Sequence, residues 1–122
     1  MSHPTPALRG ISMSARQLEG LRSSLLEAMT SGVFEPSEQD LAVALRDGLA
    51  ELRRAVRESG DAEAIGLLLP TEYGRVALNA VRHVLATVLP FEIPIRVHLD
   101  PSELESLMAT LLPAAPPMMD DI

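Results

Sequence analysis

Leucines recur every three or four residues through the first half of the chain, and this spacing limits the possible folds more than any other feature. Leu18, Leu21, Leu25 and Met29 form one run; Leu41, Leu45, Leu49, Leu52 and Val56 form another. Residues three and four apart share one face of an α-helix, so each run is an apolar stripe that must be covered. The first run opens on Ser14-Ala15-Arg16-Gln17, a capping box, with Met13 and Leu18 at the two positions of a hydrophobic staple. This predicts a helix from about Ala15 to Thr30, stopped at Ser31-Gly32 where glycine can turn left-handed. The second run opens at Ser37-Glu38-Gln39-Asp40, with acids in the first turn, and closes at Gly60. It predicts about 22 residues of helix, roughly 33 Å long. Its charged side carries Arg46, Asp47, Arg54, Arg57 and Glu58, and a small face runs through Ala44, Gly48 and Ala55. The short link at Phe34-Glu35-Pro36 makes the two helices antiparallel neighbours.

The second half is more varied. Asp61 to Leu69 reads as a short helix ending before Pro70. Thr71-Glu72 starts a longer helix to about Leu89, polar only along Glu72, Arg75, Asn79, Arg82, His83 and Ala86. The period then changes from 3.6 to 2. Phe91, Ile93, Ile95, Val97 and Leu99 alternate with Glu92, Pro94, Arg96 and His98, the pattern of a half-buried strand. Asp100-Pro101-Ser102-Glu103 opens a last helix carrying Leu104, Leu107, Met108 and Leu111, and Pro113 ends it. The tail is rich in proline and finishes Met118-Met119-Asp120-Asp121-Ile122.

The expected fold is therefore mainly α: a bundle of four to five helices, an αα-hairpin in the N-terminal half, and a single edge strand near residues 91–99. Residues 1–13 read as an arm, 14–112 as the helical domain, and 113–122 as an extended acidic-hydrophobic tail. A strand needs hydrogen-bonding partners, and Pro94 leaves one edge of this one unable to pair fully. The other edge has three candidate partners: the arm from about Leu8 to Met13, a second copy of the chain, or another protein.

Composition narrows the chemistry. The chain has no Cys and no Trp, and its aromatics are Phe34, Tyr73 and Phe91. Disulfides, thiolate nucleophiles and zinc-thiolate sites are thereby excluded, and base-stacking platforms lack rings. All ten cations are Arg, which excludes Schiff-base lysines and a Walker-type lysine. The net charge is −7, which disfavours nucleic acid and anionic membrane as partners. Residues 1–60 hold seven Arg and eight acids, residues 61–122 three and nine, so a partner of the second half is expected to be basic. His3, His83 and His98 have no second ligand at metal-binding spacing, so no metal and no cofactor are expected. Glu103 and Glu105 point to different sides of a helix, and no serine or glycine stands in a catalytic or phosphate-cradling motif. The Arg53-Arg54-Arg57 cluster has Glu51 and Glu58 within helical pairing distance and reads as a salt-bridged solvent face. Met1 to Ser12 lack an apolar signal region and no stretch is long enough to span a membrane, so the expected compartment is the cytoplasm.

These features point to a non-enzymatic protein-protein interaction or assembly subunit, with a protein partner that is either a second copy or a basic protein. The contact residues expected are Phe91, Ile93, Ile95, Arg96, Val97 and His98 on the strand, and Met118, Met119 and Ile122 in the tail. The alternative is a small acidic inhibitor or regulator, immunity-like or antitoxin-like, masking a basic site on an enzyme.

Overall fold

A computed structural model describes residues 8–59 and 65–112. Strand β1 (Leu8–Met13) leads into helices α1 (Ala15–Thr30) and α2 (Pro36–Ser59), and strand β2 (Ile65–Pro70) into α3 (Thr71–Thr87). A 3-10 turn (Pro90–Glu92), a short helix α4 (Ile93–Val97) and α5 (Pro101–Leu111) complete the fold. The mainly α architecture expected from the apolar spacing is present, with five α-helices and a two-stranded sheet among the described residues.

Helix ends follow local chemistry. Ser14 Oγ accepts the N–H of Gln17 at 3.1 Å, and Gln17 Oε1 accepts the N–H of Ser14 at 3.0 Å. The box satisfies two donors that have no partner within the helix. At the other end of α1, Gly32 turns left-handed with φ +72°, and Gly32 and Val33 donate to the carbonyls of Met29 and Ala28. That is a Schellman ending. Helix α2 starts one residue earlier than its Ser37 signal suggests. Pro36 takes the first helical position, which needs no N–H, and Glu38 reaches back to the N–H of Glu35 at 3.2 Å.

Helix α1 is the centre of the molecule and packs against α2, α3, α4 and α5. Leu18, Leu21, Leu25 and Ala28 are fully buried, and the buried Ser24 hydroxyl donates to the Gly20 carbonyl at 2.8 Å. Glu19 ties the hairpin by pairing with Arg22 at 3.0 Å and with Arg53 of α2 at 2.9 Å. Residue 19 lies early in α1 and residue 53 late in α2, so the two helices run antiparallel.

Two expectations are corrected. The segment read as a helix over 61–69 contains β2 over its described part. Strand β2 pairs antiparallel with β1, with Met13 opposite Ile65, Ile11 opposite Leu67 and Gly10 opposite Leu68. Ile11, Met13, Ile65 and Leu69 turn into the core, while Gly10, Ser12, Gly66 and Leu68 face outward. A short apolar run has no period that separates helix from strand. Here Gly66 weakens the helix, Pro70 pushes Leu69 toward extended backbone, and β1 supplies the partner.

The second correction concerns residues 91–99, which form no strand. Every period-of-two pattern also contains positions four apart, which a helix can use. Ile93 and Val97 are such a pair and are buried at 2% and 0% exposure, whereas Phe91 and Ile95, the other pair, face solvent. Pro94, an obstacle to strand pairing, lies in the first turn of α4, where its missing N–H costs nothing. The arm-side candidate Leu8–Met13 does pair, but with β2. The tail residues Met118, Met119 and Ile122 lie outside the described residues.

Candidate functional site

The site grows from the short turn and helix after α3. Helix α3 ends as Val88 becomes extended. Leu89 then caps the 3-10 turn, its carbonyl accepting the N–H groups of Glu92 at 2.8 Å and Ile93 at 3.2 Å. His98 ends α4 in the left-handed region, φ 66°, and donates its N–H to Pro94 at 3.1 Å. The reversal sends Leu99 into the core over Gly20 of α1. A Cβ at Gly20 would fall on the Leu99 side chain, so the missing side chain there is what admits it. Ile93, Val97 and Leu99 thus anchor the segment from beneath.

Anchoring those three leaves the alternate residues outside. Phe91 is 71% exposed, Ile95 74% and Leu89 53%. Phe91 lies in the 3-10 turn, Ile95 four residues on in α4, and Leu89 at the cap before them. Large apolar side chains grouped on a surface mark contact sites more often than scattered ones do.

Arg96 borders this face and is already engaged. Its guanidinium donates to Glu92 at 3.1 Å and to Glu27 of α1 at 3.3 Å. The Glu27 and Glu92 carboxylates push its pKa further up, holding it charged. Arg96 therefore links α4 to α1. Of the expected contact residues, Phe91, Ile95, Arg96 and His98 are exposed, and Ile93 and Val97 are core. Leu89 was missed because the strand reading placed it outside the element. Extending the same period of two by one step, from Phe91 back to Leu89, would have included it.

A second anchor lies at the start of α5. Arg16 Nε and Nη2 grip the two Glu103 carboxylate oxygens at 2.7 and 3.0 Å. The same carboxylate accepts the Asp100 N–H at 2.8 Å. The Arg16 hydrogen bond, then the Asp100 N–H, lower the Glu103 pKa from 4.5 to about 2.

Two other charged or titratable groups have local partners. Arg54 pairs with Glu51 at 3.6 Å, and His83 Nε2 lies 3.4 Å from Thr87 Oγ1. Among the described residues, no three His, Asp or Glu side chains are placed to hold a metal ion. No described helix is long and apolar enough to cross a membrane. The chain matches no protein-family model, no curated protein and no solved structure.

Proposed function

We propose that this chain is a non-enzymatic assembly subunit that binds a protein through the face formed by Leu89, Phe91 and Ile95. The observation that carries this reading is the division of one nine-residue segment: alternate residues anchor it in the core while Phe91 and Ile95 stay 71% and 74% exposed. Burying one such side chain on binding is worth about 1.5–3 kcal/mol. The buried anchors Ile93, Val97 and Leu99 hold the segment in place before contact, which lowers the ordering cost of association.

The test is a double variant, Phe91→Ser with Ile95→Ser. Both side chains are exposed, so thermal unfolding should stay within about 0.5 kcal/mol of wild type. Association should weaken about thirtyfold or more, because truncating a central apolar anchor costs about 2 kcal/mol or more. Sedimentation measures this if the chain binds itself, and capture from the native host followed by titration measures it for another partner. Salt should change the affinity little. A wild type and a double variant with equal association overturn the reading. Binding that survives the double variant but collapses with salt points to the acidic-inhibitor alternative instead.

A further inference from the structure

On elements other than those that carry the Phe91 face, α2, β2 and the start of α3 form a groove of about 230 Å³. Leu45, Leu49 and Leu52 of α2 form one wall, and Leu67, Leu69 and Tyr73 form the other. Its mouth passes Ala44 and Gly48, both exposed, and a Cβ at Gly48 would meet no atom within 4 Å. Small residues at a contact let a neighbouring backbone approach closely.

The groove lining itself carries no charge, and the nearest acids on α2 stand toward solvent from Ala44 and Gly48. Helical spacing puts Asp40, Ala44, Gly48 and Glu51 on one line of α2, with Asp47 beside it. Asp40 is exposed, and the side chains of Asp47 and Glu51 are 64% and 73% exposed. Arg46 pairs with Asp47 at 3.1 Å and Arg54 with Glu51 at 3.6 Å. The helical spacing places both arginines farther round α2 than the acids, away from the mouth. Exposed pairs of this kind contribute little, so an incoming cation can replace them.

We propose that this groove takes one amphipathic helix of a partner protein, apolar on the side that enters and bearing Lys or Arg where it meets Asp40, Asp47 and Glu51. Leu45 to Leu52 span about two helical turns, the length that anchors at i, i+4 and i+7 occupy. The groove goes beyond the Phe91 face: it is a second surface, on other elements, and its test reads other residues.

Tyr73 makes the groove its own reporter. It is the sole Tyr in a chain with no Trp. The full chain is titrated with a peptide of about 18 residues, long enough to be helical, with Leu and Lys at helical spacing and no aromatics. A second peptide carries Glu for Lys. The Leu/Lys peptide should change Tyr73 emission saturably at one-to-one stoichiometry, and the Leu/Glu peptide should not. Gly48→Leu fills open space and improves helix propensity, so it should fold and weaken the response at least tenfold. Ala44→Leu is the second filling variant and should act alike. Asp47→Asn with Glu51→Gln should weaken binding and flatten its salt dependence. The proposal is overturned by an absent response, by equal binding of the Leu/Glu peptide, or by binding that persists in both filling variants. A wild type that is dimeric, and monomeric after Gly48→Leu, assigns the groove to a second copy and also overturns it. None of these outcomes depends on Phe91 or Ile95.

Discussion

At the scale of single residues, His98 is held in a conformation that L-amino acids other than glycine rarely adopt. Its φ of 66° is a left-handed C-cap, and the reversal it makes delivers Leu99 onto Gly20. A side chain in that region costs about 1 kcal/mol or more. Glycine removes the Cβ clash, and its extra freedom in the unfolded chain offsets part of the gain. His98→Gly should therefore stabilise the fold by a few tenths to about 1 kcal/mol, seen as a higher urea midpoint with an unchanged slope. A lower midpoint would mean that the imidazole itself holds α4 in place. The alternating residues told a sequence reader that something special happens between 91 and 99. They did not show which alternate residues faced in, because the αL turn at His98 and the space above Gly20 are properties of the folded backbone.

At the scale of elements, helix ends were the most legible features. Ser14 with Gln17, Gly32, and Pro101 with Glu103 are all read from residues within one turn of each other, because a cap is a local hydrogen bond. Glu103 shows where local reading stops. Its reach to the Asp100 N–H is a sequence feature, while its grip on Arg16, far off in the chain, is not. That grip makes stability depend on acid. The folded-state pKa of Glu103 is depressed to about 2 from an ordinary 4.5. The unfolded chain therefore takes up its proton first as pH falls, and the contribution is present above about 4.5 and lost on the way to 2. Glu103→Gln should be less stable than wild type at pH 7, with the gap between their melting temperatures closing as pH falls to about 2. A gap that stays constant across that range would show that the Glu103 charge contributes nothing to stability, through either Arg16 or the cap.

At the scale of the whole molecule, one apolar cluster joins both strands to all five helices. Met13 sits at its junction. It is 2% exposed, lies opposite Ile65 in the sheet, and immediately precedes the cap of α1. Removing a buried Met side chain costs about 2–5 kcal/mol, a large share of the roughly 5–15 kcal/mol that holds a domain together. Met13→Ala should lower the urea midpoint strongly while sheet and helix signals are lost in one transition. Two separated transitions would mean that the strand pair and the helices are independent units.

The sequence by itself determined where the chain forms long helices and where they stop, since a 3.6-residue apolar stripe and a cap are both settled within a few neighbouring residues. It also singled out Phe91 and Ile95, which the fold leaves exposed, though for the wrong element. Only the tertiary structure decided that 65–70 is a strand and 93–97 a helix. Both are short apolar segments whose local preferences nearly balance. The balance was tipped by distant partners, β1 for the first and the surface of α1 for the second, that no local pattern records.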